Sequence, residues 1–134
     1  MEILLVSPSV KLRSSHDYLN PSLGLAYIAS ILTKNGYEVS VVDYNVTNFN
    51  PILFERILLR EKPRILGISC YTETYLNGLL IAGEAKRLLP DIIVVMGGPH
   101  PTTMYKQVAS ENNINVVVLG EGEITTLAFP HVTA

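Results

Sequence analysis

Glycine and serine residues follow the apolar runs of this chain, at positions that a parallel sheet would bring to one edge. After residues 2–6, 64–68, 92–96 and 115–119 come, in turn, Ser7 and Pro8, Ser69, Gly97 and Gly98, and Gly120. Glycine lets a ligand approach the backbone closely, and a serine hydroxyl can donate or accept a hydrogen bond. Because open parallel sheets bind ligands outside the carboxyl ends of their strands, we expect one binding site at this edge.

The loops around these residues add further candidate contacts. They contain Tyr71 and Thr72 after the third run, Pro99 and His100 after the fourth, and Glu121 and Gly122 after the fifth. A threonine such as Thr72 can contact a ligand or cap the following helix, and both roles can coexist. His100 can likewise contact a ligand or stand at a helix start, so neither residue decides the function alone.

The residues that could perform catalysis are isolated from one another in the sequence. Cys70 has no neighbouring base to activate it, which favours a packed thiol over a nucleophile. Glu121 and Glu123 lie two positions apart, which is poor evidence for a general acid–base pair. No nucleophile and base can be paired, so no catalytic residue and no metal ligand is assigned, and a small hydrolase is the least favoured class.

Two further features near the strand ends have competing interpretations. Residues 7–20 form a long loop with Lys11, Arg13 and His16, which is either functional or simply solvated. It lacks the glycine-rich run and Gly-Lys-Ser/Thr ending of a phosphate loop. Asp43 ends the second run, where an acid can hold a ribose hydroxyl, but no Gly-x-Gly-x-x-Gly precedes it. A turn residue or helix cap is therefore favoured for Asp43.

The apolar runs alternate with helical segments, which predicts an α/β fold. Four runs are almost continuously apolar, as in strands buried on both faces, whereas residues 38–42 alternate and suit an edge strand. Helices are predicted at residues 21–35, 51–61, 73–89 and 101–111. We expect a doubly wound, Rossmann-like five-stranded parallel sheet with helices on both faces and the flavodoxin-like order 2-1-3-4-5. The order 3-2-1-4-5 stays open.

Helical spacing also predicts which side chains the helices bury. In the first helix these are Leu23, Ala26, Tyr27 and Ile31. In the third helix they are Leu76, Leu79, Leu80, Ala82 and Leu88.

A phospho-acceptor receiver domain shares this layout, but the acids and lysine that it needs at the strand ends are replaced here by Ser7, Ser69 and Gly120.

The composition is that of a folded domain with few charges. The 134 residues are 48% hydrophobic and 16% charged, with a net charge of −2 and no basic stripe, so nucleic-acid binding has no support. The apolar runs are shorter than the roughly 20 residues of a membrane-spanning helix. No secretory leader is recognisable and Cys70 is the single cysteine, so we expect a cytoplasmic protein without membrane contact.

Taken in order, several motifs resemble a known family. They are residues 21–29 (PSLGLAYIA, with Leu23 and Gly24), 36–39 (GYEV), Asp43, 67–69 (GIS), 97–102 (GGPHPT) and 120–123 (GEGE). The set resembles the cobalamin-binding domain that precedes the catalytic domain of radical S-adenosylmethionine enzymes, a group that includes the anaerobic magnesium-protoporphyrin monomethyl ester cyclase and several methylases. The resemblance covers residues 1 to about 127, and residues 128–134 are interpreted as a truncated or altered tail.

The resemblance implies a position for the cofactor. The corrin ring of cobalamin would lie across the carboxyl ends of the strands, and its nucleotide tail would enter beside the third and fourth strands. Ser69 would contact the tail, and Gly97 and Gly98 would make room for it. The iron–sulfur cluster and S-adenosylmethionine would belong to a radical catalytic domain, joined in cis or in trans, because a single cysteine cannot supply Cys-x-x-x-Cys-x-x-Cys.

The chain departs from the wider cobalamin-binding pattern in one place. His16 and Asp17 stand in the wrong order for Asp-x-His-x-x-Gly, so cobalt ligation through that motif is not expected. The resulting hypothesis is a cobalamin-binding module that is not catalytic alone. Two alternatives stay open: a flavin- or nucleotide-binding flavodoxin-like domain, and an interaction domain that binds no small ligand.

Overall fold

The computed structural model describes residues 1–9 and 22–120, in which five parallel strands form one sheet. The strands are β1 (Ile3–Ser7), β2 (Val39–Asp43), β3 (Ile65–Ser69), β4 (Ile93–Gly97) and β5 (Val116–Val117). Their order across the sheet is β2-β1-β3-β4-β5. The predicted order 2-1-3-4-5 is confirmed, and β2, with its alternating sequence, lies at an edge.

Helices connect the strands. They are α1 (Leu23–Lys34), α2 (Pro51–Glu61), α3 (Tyr75–Leu88), α4 (Pro99–Thr103) and α5 (Tyr105–Ala109), with one 3₁₀ turn at Thr72–Thr74. The first two begin at side-chain caps: the Ser22 hydroxyl accepts from the Leu25 amide at 3.4 Å, and the side-chain oxygen Oδ1 of Asn50 accepts from the Ile52 amide at 3.0 Å. No helix among the described residues is long and apolar enough to cross a membrane.

The sheet separates two hydrophobic clusters, because successive strand residues point to opposite faces. On one face, Leu4, Leu66 and Val94 pack with side chains of α2, α3 and α5; we call this the α3 face. On the other, Leu5, Ile65 and Val95 pack with Leu25 and Leu32 of α1; we call this the α1 face. Helices on both faces are thus confirmed.

The predicted buried face of α1 is wrong. Leu23 and Tyr27 are 70% and 64% exposed, whereas Leu25 and Leu32 are buried. The helix is apolar nearly all round, so sequence spacing alone does not select the face that packs on the sheet. The face that packs on the sheet is formed instead by Leu25, Ile28, Ala29 and Leu32.

Other helix predictions need smaller corrections. In α3, the predicted Ala82 is buried, but Leu76 and Leu80 are exposed, and the small residues Gly78 and Ala85 face the sheet instead. The segment predicted as one helix over residues 101–111 is two short helices, because Met104 adopts a non-helical conformation between them. The fifth strand is shorter than predicted, with only two residues in the ladder.

Candidate functional site

A cleft of about 200 Å³ lies between α1 and the sheet and opens at the carboxyl ends of the strands. Its sheet side follows from the strand register, in which Leu5 pairs with Gly67 and Gly67 pairs with Val95. Its helix side is formed by Gly24, Leu25 and Ile28 of α1. Sites for whole drug-sized ligands measure about 300–1,000 Å³, so this cleft suits one part of a larger molecule.

Gly67 gives the cleft its depth. A Cβ atom on this residue would come within 2.7 Å of Leu5 Cδ2, so even a methyl group would occupy the space beside Leu5. Glycine in the middle of a strand weakens the strand and commonly marks a place that something else approaches closely. Below Gly67 the cleft continues between Ile3 and Ile65, where the side chains are hydrocarbon.

The mouth of the cleft is more polar than its depth. It is formed by the ends of β3 and β4, where Ser69 pairs with Gly97. Ser69 is half-buried, and within the described part of the chain its hydroxyl has no hydrogen-bond partner. Tyr71 and Pro99 flank this position. Among the described residues, the mouth therefore presents the Ser69 hydroxyl to a ligand.

Gly98 allows the loop after β4 to pack closely against the loop after β3. Its φ of 106° lies in a region that side chains rarely adopt, and a Cβ atom would come within 2.6 Å of the Cys70 carbonyl oxygen. The Cys70 amide donates to the Gly97 carbonyl at 2.9 Å, and the His100 amide donates to the Cys70 carbonyl at 3.2 Å. Burial raises the pKa of the Cys70 thiol to about 12, which agrees with a packed thiol rather than a nucleophile.

Asp43 positions the start of α1, which forms one side of the cleft. Its carboxylate accepts from the Ser22 amide at 2.7 Å and from the Asn45 amide at 2.9 Å. The Asn45 side-chain amide donates both to Asp43, at 3.0 Å, and to the Ser7 hydroxyl, at 2.8 Å. The turn-and-cap interpretation of Asp43 is confirmed, and the buried Ser7 serves this network and does not line the cleft.

His100 lies on the α3 side of the strand ends. Its Nδ1 is 3.2 Å from the Thr72 hydroxyl, and its ring is 4.1 Å from the Tyr75 ring, centroid to centroid. Its buried Nε2 has no hydrogen-bond partner in the part of the chain that the structure describes. Burial and the nearby Glu111 carboxylate raise the pKa of Tyr75, whose hydroxyl donates to Glu111 at 3.4 Å.

The structure brings half of the predicted site residues together around the cleft. These are Gly24, Ser69, Tyr71, Gly97, Gly98, Pro99 and Gly120. The other predicted residues that the structure describes lie off the cleft: Ser7 and the fully buried Pro8 under the β1 end, Leu23 in solvent, and Thr72 with His100 on the α3 side. Thr74, not Thr72, stands at the N-cap position of α3. Glu121 and Gly122 lie outside the described residues, as do Lys11, Arg13 and His16.

Sequence reasoning missed the apolar depth of the cleft. The missed residues are Ile3, Leu5, Leu25, Ile28, Ile65, Gly67, Ile68, Val95 and Val118. The one available signal was Gly67, a glycine inside an otherwise branched apolar run of β3.

The fold and the cleft define a doubly wound domain with a candidate ligand site at its strand ends. The chain belongs to the B12 binding domain family, whose model matches residues 11–129. The resemblance inferred from the ordered motifs is confirmed, and with it cobalamin, the ligand named by the family.

Curated relatives agree with this assignment. An uncharacterised methyltransferase of Pyrococcus horikoshii is 33% identical over 128 residues, which cover 93% of this chain and 28% of that protein. The anaerobic magnesium-protoporphyrin IX monomethyl ester cyclase of Rubrivivax gelatinosus is 32% identical over 126 residues, covering 92% of this chain and 23% of the relative. The chain thus spans about a quarter of the length of these proteins.

A solved structure has the same fold. The cobalamin-dependent S-adenosylmethionine radical enzyme OxsB with aqua-cobalamin bound matches with a TM-score of 0.74 and 18% sequence identity. The match covers 99% of this chain and 19% of that chain. In that protein, the matching part is therefore one domain of a much longer chain.

Proposed function

We propose that this chain holds cobalamin with the nucleotide tail in the cleft and the corrin ring across the carboxyl ends of the strands. The observation that carries the proposal is the form of the cleft, which is narrow, hydrocarbon in its depth and open at the strand ends. A volume of about 200 Å³ suits a flat base and leaves the corrin outside.

The residues present fit this cofactor. Gly67 and Gly97 leave room for the base beside β3 and β4, and the Ser69 hydroxyl is available to a polar atom of the tail. The α1 side chains Leu25 and Ile28 cover the other side of the base. When bound, cobalamin supplies a cobalt centre for methyl transfer or electron chemistry, while the protein binds and orients it. Residues 1–127 are proposed as the cobalamin-binding unit.

The proposed partner is a radical S-adenosylmethionine catalytic domain, in cis or in trans. Two observations support it: relatives of this chain include a methyltransferase and a cyclase, and the chain corresponds to about a quarter of each. With Cys70 as its single cysteine, this chain cannot ligate the three-cysteine cluster of such a domain. The proposed role is to present the cofactor to that domain in the cytoplasm.

Titration of the purified chain with hydroxocobalamin tests the proposal. We expect a saturable change in the visible spectrum and co-elution of the cofactor with the protein on gel filtration. Absence of both would contradict the proposal, and a co-purifying flavin or nucleotide would favour the alternative flavodoxin-like function.

A matched pair of variants locates the site. Gly97→Ala adds a methyl group at ordinary contact distance from Val118, so the fold tolerates it while the cleft narrows. Gly83→Ala makes the same change in α3, away from the cleft. We expect weaker cobalamin binding for Gly97→Ala alone, and equal binding by both variants would contradict the proposed position of the tail.

A further inference from the structure

We infer that the cleft selects among cobalamin analogues by their lower base, and that Gly67 is the residue that sets this selectivity. The preferred class is a cobamide with a methylated benzimidazole base, and the disfavoured class carries a purine. This inference rests on the proposed function, because it requires the nucleotide tail to enter the cleft.

The depth available to a base is fixed by one missing side chain. Gly67 lies between Leu5 and Val95 in the middle row of the sheet, and all three line the cleft. A Cβ atom on Gly67 would meet Leu5 Cδ2 at 2.7 Å, so any larger residue would close the passage towards Ile3 and Ile65. Because residue 67 is glycine, a bicyclic base can extend from the mouth, past Ser69 and Gly97, into the depth of the cleft.

The polarity of the cleft matches one kind of base. Polar side chains lie at the mouth, at Ser22 and Ser69, whereas the depth is lined by isoleucine, leucine and valine side chains. In a benzimidazole nucleotide both ring nitrogens are in the five-membered ring next to the ribose, so they stay at the mouth. The six-membered ring and its methyl groups are hydrocarbon and match the depth.

A purine has the opposite distribution of polar atoms. The six-membered ring of adenine carries two ring nitrogens and an amino group, which would lie deep in the cleft between Leu5, Ile65 and Val95. The described side chains there offer no hydrogen-bond partner, and an unsatisfied buried polar group is costly. We expect the adeninyl cobamide to bind about tenfold more weakly than cobalamin, or weaker still.

The wild-type chain tests the selectivity without any substitution. Dissociation constants are measured for cobalamin, for the unmethylated benzimidazolyl cobamide, for the adeninyl cobamide and for cobinamide, which has no nucleotide tail. We expect affinity to fall in that order. Equal affinities for cobalamin and the adeninyl cobamide would overturn the inference while cobalamin binding stands, and no binding of cobalamin at all would overturn both proposals.

Gly67→Ala tests the residue. Its added methyl group should lower cobalamin affinity about tenfold and leave cobinamide binding unchanged, because cobinamide does not use the cleft. Gly83→Ala is the control for a glycine-to-alanine change outside the cleft and should bind both ligands as wild type does. An equal loss for cobalamin and cobinamide, or no loss for either, would overturn the assignment to Gly67, and the wild-type series decides the selectivity even where this variant does not fold.

Discussion

The two faces of the sheet use glycine in opposite ways. On the α3 face, Gly78 of α3 lets the helix approach so closely that a Cβ atom there would overlap Cys70 Sγ. On the α1 face, Gly67 of β3 leaves a cleft that a Cβ atom would begin to fill. One glycine removes space between helix and sheet, and the other preserves it.

The difference follows from which element lacks the side chain. A glycine on the helix brings the whole helix backbone towards the sheet, and neighbouring side chains such as Ile81 and Ala82 then close the core around it. A glycine on the strand leaves the helix where Leu25 and Leu32 hold it, so the space stays open at that point. The α3 face is a closed core, and the α1 face combines packing with an open cleft.

The largest effect on the free energy of unfolding is expected at Gly98, which follows β4 and packs against the backbone of Cys70. Gly98→Ala requires a side chain at φ 106° and places Cβ 2.6 Å from a backbone oxygen, which cannot move as a side chain can. We expect a loss of about 3 kcal/mol in the free energy of unfolding, measured by urea denaturation.

Gly97→Ala is the control for Gly98→Ala, because a Cβ atom on Gly97 would meet the described residues at ordinary contact distance, 3.5 Å from Val118. It should leave the unfolding midpoint nearly unchanged. A similar loss for both variants would show that the strand end, and not the positive φ of Gly98, determines stability here.

The comparison between the faces is tested directly by Gly78→Ala and Gly67→Ala. Gly78→Ala overpacks a closed core, and we expect a loss of about 2 kcal/mol in unfolding free energy. Gly67→Ala meets the end of the Leu5 side chain, which can turn away, and gains from the lower chain entropy of alanine, so we expect a change below about 1 kcal/mol. If urea denaturation showed equal losses of unfolding free energy for the two variants, the two faces would be packed alike.

Alkaline pH should weaken the α3 face. Burial raises the pKa of the Cys70 thiol from 9.0 to about 12 and that of the Tyr44 hydroxyl from 10.0 to about 12. Because the folded-state values are raised, the native state favours the neutral forms, and the stabilisation is complete below pH 9 and is lost as pH rises from about 9 towards 12.

The measurement is the unfolding midpoint as a function of pH. In Cys70→Ala combined with Tyr44→Phe, the decline between pH 9 and 12 should be shallower than in wild type. An unchanged slope would assign the alkaline loss to other groups.

The smallest effect is expected at Gly24, on the helix side of the cleft. Among the described residues, no atom lies within 4 Å of a Cβ atom there, so Gly24→Ala should raise the free energy of unfolding by about 0.5 kcal/mol through lower chain entropy. The same methyl group lies at the cleft mouth and should weaken cobalamin binding. A gain in stability without any change in affinity would place the ligand away from α1.

The sheet could be predicted from the sequence because its signals are local. Continuous apolar runs define the central strands, and the alternation of residues 38–42 correctly placed β2 at an edge. The buried face of α1 could not be predicted, because Leu23 and Leu25, Tyr27 and Ile28 offer apolar side chains in every direction. Packing against the sheet decides between them, and that information is not local.

The residues of the candidate site could likewise be predicted only in part. Ser69, Gly97 and Gly98 were predicted because each ends a strand, and parallel strand ends meet at one edge. The depth of the cleft was missed because a strand buried on both faces shows no alternation, so nothing in the sequence assigns Leu5 and Val95 to one face and Leu4 and Val94 to the other.

If the nucleotide tail occupies the cleft as proposed, the hydrocarbon walls would couple ligand loading to the folding equilibrium. A base that enters between Leu25 and Gly67 becomes part of the core of the α1 face, so it binds the native state and not the unfolded chain. Ligand at 100 times its dissociation constant would then add about 2.7 kcal/mol to the stability. Because this gain depends on ligand concentration, thermal melting of this domain would report how much cofactor is available to it.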